Sequence, residues 1–216
     1  MASRPDHPAH PAHPFPLESG GLRLFPRAFA PGFCREWMAD LIGQLAWHRD
    51  FHEVAGRRFH IPRLQAWAAD DGLRYSYSDN LLETQAWTPT LSRIRHEVEA
   101  LVGHAFNSVL VTYYRNGDDH VTWHADDERE LGDQPVIASL SLGARRRFEW
   151  RSRLDGQAGG MDLEEGDVLL MLPAFQHEWL HRVPAQPEVA EGRINLTFRR
   201  VVDTGIPVPA AAFAQH

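Results

Sequence analysis

The chain has 216 residues, of which 43% are hydrophobic, and a formal net charge of −7 at pH 7. This length suffices for one well-buried core, so we expect a single domain. No stretch reaches the roughly 20 apolar residues of a membrane helix, and the N-terminus lacks the pattern of a secretory signal. The single cysteine, Cys34, excludes an internal disulfide and a thiolate zinc cluster. These features predict a cytoplasmic protein without membrane association, and no apolar helix face calls for more than a monomer.

The acidic charge balance, with an isoelectric point of about 6.0, differs from that of most nucleic-acid-binding domains, which are basic. A nucleic-acid partner would therefore need a local basic patch. Two arginine clusters meet this condition, one within 57–63 and one within 145–153. A solvated strand face explains each cluster equally well when it is taken alone.

The first 16 residues predict a disordered tail rich in proline and histidine. His7, His10 and His13 recur every third residue among prolines, which favour an extended chain with too little apolar content to pack. Such a tail binds metal only loosely, so we assign no site to it. Residues 17–216 are expected to form the domain.

Two segments have the apolar periodicity of helices. The first runs from Pro31 to Trp47, and its predicted buried face consists of Phe33, Trp37, Met38, Leu41, Ile42 and Leu45. The second runs from Pro89 to Val102, with Thr88 as the N-cap and the proline at the first helical position. Its predicted apolar face consists of Leu91, Ile94, Val98 and Leu101.

The remaining segments are short, strand-like and separated by turns that contain glycine. They lie at 63–67, 109–114, 136–142, 146–151, 167–171 and 193–201. Leading helices followed by many short strands predict an α+β domain with a double-layered β core. The strand count suits a jelly roll, that is, a double-stranded β-helix core supported by the N-terminal helices.

The strand near the C-terminus has two chemically different faces. Because side chains alternate along a strand, the polar residues Arg193, Asn195, Thr197 and Arg199 share one face, and Arg200 points away from it. The apolar residues between them share the other face. Six residues of strand span about 20 Å, so the two inward-reaching arginines leave a gap that fits a small dicarboxylate.

His124, Asp126 and His181 supply two imidazoles and one carboxylate. This is the donor set of the facial triad that holds ferrous iron with open coordination positions. His124 and Asp126 share one face of an extended segment, and a jelly roll brings distant strands such as that of His181 together. Iron beside a bound dicarboxylate predicts a 2-oxoglutarate-dependent oxygenase that uses Fe(II), 2-oxoglutarate and O2.

A zinc site is the competing interpretation. His120 precedes His124 by four residues and His177 precedes His181 by four, which resembles the spacing of zinc ligands. That spacing puts two histidines on one face only in a helix, and Pro173 disfavours a helix in the second segment. We therefore interpret His120 and His177 as loop or rim residues, and a zinc hydrolase would leave the arginine strand unexplained.

Several segments resemble the AlkB family of iron and 2-oxoglutarate-dependent demethylases, above all the branch that repairs alkylated bases in nucleic acid. The resemblance covers about residues 60–202. It rests on 106–116, 123–128 (Trp-His-Ala-Asp-Asp-Glu), 137–143 with Arg146 and Phe148, 179–184, 193–199 (Arg-Ile-Asn-Leu-Thr-Phe-Arg), Pro62-Arg63 with Trp67, and 75–78 (Tyr-Ser-Tyr-Ser). It implies a nucleotide-recognition region at about 50–80 and a catalytic jelly roll at about 106–202.

The resemblance also implies a role for each matching residue. The iron ligands are His124, Asp126 and His181, and the 2-oxoglutarate contacts are Thr112, Tyr114, Arg193, Asn195 and Arg199. The substrate contacts are Trp67, Tyr75, Tyr77, Glu128 and Arg146, and the nucleic-acid backbone contacts are Arg57, Arg58 and Arg63. Thr112 departs from the family, which usually has asparagine there. By residue type alone, Trp67 and Tyr75 fit packing equally well, and Glu128 fits a solvated acidic turn.

The implied reaction is oxidative demethylation of bases such as N1-methyladenine and N3-methylcytosine in DNA, with RNA as a further candidate, and it releases formaldehyde. A base inside a duplex cannot reach the iron, so it has to be flipped out or single-stranded. Two alternatives stay open. One is a 2-oxoglutarate oxygenase that acts on a protein or a small molecule, and the other is a non-catalytic jelly roll that binds metal or nucleic acid.

Overall fold

The computed structural model describes residues 21–202, apart from 55–56, 74–75, 78–79 and 82–83. Within these ranges, the side chains of 52–54, 57–58, 76–77 and 80–81 are not described. The predicted tail and Tyr75 therefore lie outside the described residues, as do the side chains of Arg57, Arg58 and Tyr77.

Three α-helices stand among many short strands in the described part of the chain. The helices are α1 (Pro31–Gln44), α2 (Pro89–Val102) and α3 (Pro173–Glu178). The strands are β1 (Leu22–Phe25), β2 (Phe51–Val54), β3 (Arg57–His60), β4 (Leu64–Ala69), β5 (Ser76–Tyr77), β6 (Asn80–Leu81), β7 (Thr84–Gln85), β8 (Ser108–Tyr114), β9 (Val121–His124), β10 (Ile137–Gly143), β11 (Arg146–Ser152), β12 (Ala158–Leu163), β13 (Val168–Met171), β14 (Trp179–Val183) and β15 (Arg193–Arg199).

The strands from β8 to β15, together with β1, β4 and β7, build two facing sheets. The larger sheet has the order β1-β13-β10-β15-β8-β4-β7, and the smaller has the order β12-β11-β14-β9. Neighbours are antiparallel except for β4 and β7. Because the chain passes repeatedly between the sheets, distant segments become neighbours. The predicted double-stranded β-helix is confirmed.

Apolar side chains fill both faces of the larger sheet. Trp37 and Leu41 of α1 and Ile94 of α2 pack on its outer face, against residues such as Leu196. A second cluster lies on the inner face, where side chains from the two sheets meet, and it includes Leu110, Phe148, Phe175 and Leu169. The helices thus support the sheet from outside, while its inner face borders the site.

The N-cap predicted for α2 agrees with the structure, and so does most of its predicted apolar face: Leu91, Ile94 and Val98 are fully buried, whereas Leu101 is 36% exposed. Its bounds are those predicted, and the Thr88 side chain accepts a hydrogen bond from the Leu91 N–H at 3.1 Å. The prediction for α1 needs correction, because Phe33 and Ile42 are 45% and 42% exposed. Cys34, which is fully buried, occupies the position facing the core in place of Phe33, so the buried stripe is narrower than expected.

The prediction that no helix forms around Pro173 is wrong. The proline is the first residue of α3, where its missing N–H costs nothing because that group has no partner within a helix. The helix ends before His181, which lies on β14, so it does not align His177 with His181. His177 is exposed and bonds the Asp133 carbonyl, as a rim residue would. None of the described helices is long and apolar enough to cross a membrane.

Candidate active site

Neighbouring strands of the smaller sheet bring the three predicted metal ligands together. His124 ends β9 and pairs in register with His181 on β14, and the centroids of their rings are 4.3 Å apart. Asp126 follows β9 by two residues. One ligand atom from each residue lies within 4.8 Å of the others. Two imidazoles and one carboxylate in this arrangement suit Fe(II) and leave coordination positions open.

The charge of Asp126 is balanced inside the protein. Its Oδ1 accepts a hydrogen bond from Arg199 Nη2 at 2.6 Å, and both side chains are 2% exposed. Burial alone would raise the pKa of Asp126, but the charge of Arg199, with help from the two imidazoles when they are protonated, lowers this pKa to about 2. The carboxylate is therefore ionised at pH 7.

The two imidazoles are neutral at the same pH. Burial, together with the charge of a protonated His124, lowers the pKa of His181 to about 3. Burial likewise lowers the pKa of His124. Neutral imidazoles and an ionised carboxylate are the protonation states that metal ligands require.

Hydrogen bonds from behind the triad orient two of its members. His124 Nδ1 lies 2.8 Å from the Thr122 carbonyl oxygen. A carbonyl only accepts, so Nδ1 carries the proton and Nε2 keeps its lone pair for a metal. The Asp126 backbone N–H donates to Gln176 Oε1 at 2.9 Å. Because Gln176 is fully buried in α3, this helix fixes the backbone of the metal-binding segment.

A buried cation that forms no ion pair within the described part of the chain lies at the other end of β15. Arg193 is 1% exposed, and its Nη2 donates to Ser141 Oγ at 2.8 Å and to Asn195 Oδ1 at 2.7 Å. Its Nε and Nη1 have no hydrogen-bond partner among the described residues. Burial lowers the pKa of Arg193 to about 10, so it is still charged at pH 7. Because an unpaired buried charge is costly, these donors indicate an anionic ligand.

The polar face of β15 is held in place by its neighbour β10. Ser139 Oγ donates to Asn195 Oδ1 at 2.9 Å, and Asn195 Nδ2 donates to Thr197 Oγ1 at 2.8 Å. The predicted division of the strand is confirmed, because the apolar residues Ile194, Leu196 and Phe198 are fully buried in the outer core. Arg200 is exposed. The strand therefore presents a fixed row of polar groups to the space between the sheets.

A cavity of about 510 Å³, counting the part open to solvent, lies between the two sheets. Thr112 and Tyr114 on β8 line it beside Asn195 and Arg193, with which they pair in register. The lining includes every predicted iron ligand and every predicted 2-oxoglutarate contact: His124, Asp126, His181, Thr112, Tyr114, Arg193, Asn195 and Arg199. The residues present thus fit an iron ion and a dicarboxylate in one cavity.

Arg63 belongs to the wall of the cavity and not to an exposed patch. It is 4% exposed, and its Nη1 donates to the His120 carbonyl at 3.1 Å. It also lines the cavity, and its charge, after burial, helps to lower the pKa of His124. The prediction that Arg63 contacts the nucleic-acid backbone is therefore wrong for this conformation, since a buried guanidinium cannot reach an outside phosphate.

Arg146, predicted to contact the substrate, is likewise buried away from the cavity. It is 1% exposed and is absent from the cavity lining. Its guanidinium donates to backbone carbonyls, including those of Asp119 and Pro184 at 2.8 Å. The structure thus argues against a substrate contact, because the donors of this side chain are already used within the protein.

Two further predicted substrate contacts also lie outside the cavity lining. Trp67 is 1% exposed and belongs to the inner apolar cluster, so packing, the alternative considered from residue type, describes it in this conformation. Glu128 is half-buried and precedes a short 3-10 helix, Arg129–Leu131. Its position two residues after Asp126 places it near the site, and its substrate role stays a prediction.

Sequence reasoning missed several residues that organise the site. Ser139 and Ser141 alternate along the otherwise apolar β10, and this i, i+2 pair of hydroxyl groups was a usable signal. Arg182 lines the cavity and pairs with Glu149 at 2.7 Å. Gln176 offered no sequence signal, since its partner is a backbone N–H 50 residues away.

Residues 21–199 match the family model of the 2OG-Fe(II) oxygenase superfamily. The chain is 40% identical over 186 residues to Alpha-ketoglutarate-dependent dioxygenase alkB homolog 3 of Homo sapiens, covering 79% of this chain and 64% of that relative. It therefore spans slightly less than two thirds of that relative's length. It is 38% identical over 160 residues to DNA oxidative demethylase ALKBH2 of Mus musculus, covering 70% of this chain and 67% of the relative.

The fold agrees with these sequence matches. The solved structure of OsALKBH1 aligns with a TM-score of 0.60 and 18% identity, over 83% of this chain and 98% of that one. At this identity the likeness shows the fold alone. The sequence relatives and the superfamily match, which covers most of the chain, together show that the chain belongs to the AlkB family of 2OG-Fe(II) oxygenases.

Proposed function

We propose that this protein is an Fe(II)/2-oxoglutarate-dependent dioxygenase that oxidatively demethylates alkylated bases in DNA. The expected substrates are of the N1-methyladenine and N3-methylcytosine type. The observation that carries the proposal is the placement of the His124, Asp126 and His181 triad in one cavity with Arg193, whose Nε and Nη1 have no partner among the described residues. The relative named DNA oxidative demethylase ALKBH2 supports alkylated DNA as the substrate.

Each end of the cavity has its own task in this proposal. The neutral imidazoles and the carboxylate of Asp126 hold the metal, and the Arg193 guanidinium binds the distal carboxylate of 2-oxoglutarate in a charge-assisted hydrogen bond. When bound, iron, 2-oxoglutarate and O2 supply the oxidation of the N-methyl group, which leaves as formaldehyde while succinate and carbon dioxide form. The protein positions these groups in the cavity between the two sheets.

We propose that the β2–β3 hairpin binds the backbone of the nucleic-acid strand. It includes Arg57 and Arg58, which we expect to contact phosphates, while Tyr75 and Tyr77 are expected to stack on the flipped base. Replacing both arginines with glutamine should reduce the salt dependence of oligonucleotide binding, with a change in logarithmic slope of roughly one per lost contact. Unchanged affinity at every salt concentration would favour the alternative in which the substrate is a protein or a small molecule.

The direct test uses purified protein with iron, ascorbate, 2-oxoglutarate and an oligonucleotide containing N1-methyladenine. Demethylation is followed by mass spectrometry, and formaldehyde and succinate are measured in parallel. The His124→Ala variant should lose all activity, whereas His120→Ala is the matched control, since His120 lies outside the metal-binding group. Demethylation that persists in His124→Ala protein would overturn the site assignment.

The same assay separates the alternatives. Succinate formation without any demethylation of DNA or RNA would point to a protein or small-molecule substrate. Absence of 2-oxoglutarate turnover under all conditions would point to a non-catalytic binder of metal or nucleic acid. Methylated RNA oligonucleotides form a second arm, because we propose RNA as an additional substrate. We also propose a monomer located in the cytoplasm, which sedimentation and cell fractionation would test.

A further inference from the structure

Arg146, at the start of β11, is a buried cation that the proposed reaction does not use. It does not line the cavity, although it is 1% exposed. Within the described residues, its guanidinium donates hydrogen bonds to oxygen atoms of uncharged groups and lies over one aromatic ring. Burial of a guanidinium is costly. The groups that Arg146 contacts therefore indicate its role.

The guanidinium of Arg146 joins two loops that flank the site. One loop, 115–120, connects β8 to β9, and the other, 184–192, connects β14 to β15. Nη1 donates to the Asn116 carbonyl at 3.1 Å, and Nη2 donates to the Asp119 and Pro184 carbonyls at 2.8 Å. The four strands that these loops connect carry Tyr114, the two histidine ligands and the polar face of β15.

The two loops are also fixed to each other, and we call segments 115–119 and 184–189 the loop clasp. The Gln186 N–H donates to the Gly117 carbonyl and the Gly117 N–H donates to the Val189 carbonyl, both at 2.7 Å. A Cβ at Gly117 would lie 1.7 Å from the Gln186 carbonyl oxygen, so only glycine permits this approach. Asp119, 3% exposed, is held by Arg115 through two side-chain hydrogen bonds of 2.7 and 2.8 Å and one backbone N–H hydrogen bond of 2.9 Å.

One aromatic ring links the clasp to the dicarboxylate end of the cavity. The Cζ of Arg146 lies 5.4 Å from the centroid of the Tyr114 ring, and the Cζ of Arg193 lies 5.4 Å from the same centroid. Contacts of this kind attract the cation to the ring. Tyr114 is 4% exposed, so the ring has little freedom to move unless one of the two guanidinium groups moves with it.

We propose that Arg146 is a positioning residue for the dicarboxylate end of the site. It fixes the loop clasp and the Tyr114 ring, and through that ring it holds Arg193 in the orientation that receives the distal carboxylate of 2-oxoglutarate. Arg146 itself touches neither the metal nor the substrate. The inference rests on the proposed use of 2-oxoglutarate and identifies a residue on which its affinity depends.

The test measures the binding of N-oxalylglycine, a 2-oxoglutarate analogue that is not decarboxylated, to the Mn(II)-loaded protein by calorimetry. The Arg146→Met variant should bind it about tenfold more weakly, the scale of effect expected when a residue behind a binding group is lost. Its affinity for Mn(II) should be unchanged. Arg146→Lys should lie between the two. The matched control is Arg147→Met, whose half-exposed side chain pairs with Asp162 outside the cavity.

A double-mutant cycle shows whether Arg146 acts on N-oxalylglycine affinity through the Tyr114 ring. In a Tyr114→Leu background, Arg146→Met should cause little further loss of N-oxalylglycine affinity. An equal loss of N-oxalylglycine affinity in both backgrounds would overturn the positioning role. An Arg146→Met protein that loses Mn(II) affinity and thermal stability but binds N-oxalylglycine as tightly as the wild type would also overturn it. Should Arg146→Met not fold, Arg146→Lys carries the same comparison. Wild-type protein that fails to bind N-oxalylglycine would instead refute the proposed function.

Discussion

The two ends of the cavity differ in how their buried charges are compensated. At the metal end, Asp126 and Arg199 form a buried pair at 2.6 Å, and the imidazoles of His124 and His181 are neutral. At the other end, Arg193 is equally buried, but two of its nitrogen atoms have no hydrogen-bond partner among the described residues. The Asp126 carboxylate at the metal end thus has a counter-ion without any ligand, whereas the Arg193 guanidinium at the dicarboxylate end is completed by an anion.

This difference predicts opposite consequences for stability and for binding. Removing one member of a buried pair leaves an uncompensated charge and is strongly destabilising. Removing a buried charge that has no partner relieves a desolvation cost instead. Substitutions at the two ends should therefore have different effects on the stability of the ligand-free protein, although both are expected to abolish turnover.

The largest effect is expected at the metal end. Asp126→Asn should abolish Mn(II) binding and lower the free energy of unfolding by about 3–5 kcal/mol, because Arg199 is left buried and unpaired. Urea denaturation of the metal-free protein measures this loss. The control is Asp127→Asn, which breaks an exposed pair with Arg153 and should cost no more than about 1 kcal/mol. An Asp126→Asn protein as stable as the wild type would contradict the charge-balance argument.

The dicarboxylate end should behave in the reverse sense. Arg193→Met should lose 2-oxoglutarate binding without lowering the stability of the ligand-free protein. In the wild type, 2-oxoglutarate at 100 times its dissociation constant should add about 2.7 kcal/mol to the free energy of unfolding, and in the variant it should add nothing. Marked destabilisation of ligand-free Arg193→Met protein would show that this arginine is chiefly structural.

A smaller effect is expected behind the metal end. Gln176→Leu removes the acceptor of the Asp126 N–H, so a buried donor is left unsatisfied at a cost of about 1–3 kcal/mol. Mn(II) affinity should fall by roughly 10–100-fold, since the metal-binding segment loses its support. Gln134→Leu, at an exposed position, serves as the control. Full Mn(II) affinity in Gln176→Leu protein would mean that α3 does not hold this segment.

The smallest effect tests the departure from the family pattern. Thr112 is 5% exposed and lines the cavity beside Asn195. Thr112→Asn should restore an amide donor and strengthen 2-oxoglutarate binding by about 1 kcal/mol, the net worth of one hydrogen bond. Calorimetric titration measures this change. Weaker binding would show that the cavity has adapted to the smaller side chain.

The faces of β15 and the metal ligands could be predicted from the sequence, because they depend on the alternation of side chains along a strand and on which residue types bind iron. The alternation of Arg193–Arg199 is a local property, so both faces of β15 could be assigned without coordinates. The iron ligands were identifiable because their residue types suit one metal. The capping of α2 by Thr88 was equally local.

The failures share a different origin, because burial and long-range partners are set by tertiary packing. Arg63 and Arg146 carry no sequence mark that distinguishes a buried arginine from an exposed one. Gln176 acts on a backbone N–H that any residue would offer. Phe33 shows the same limit on a smaller scale, since which of two adjacent apolar residues faces the core depends on how α1 docks against the sheet.

The central claim is that one cavity holds a metal at the triad and a dicarboxylate at Arg193. Anaerobic calorimetric titration of 2-oxoglutarate into the Mn(II)-loaded protein tests it most directly, with Arg193→Met and His124→Ala measured alongside. The account predicts one binding event per chain in the wild type, loss of that event in Arg193→Met protein with Mn(II) still bound, and loss of both ligands in His124→Ala protein. Undiminished 2-oxoglutarate binding in Arg193→Met protein would contradict it.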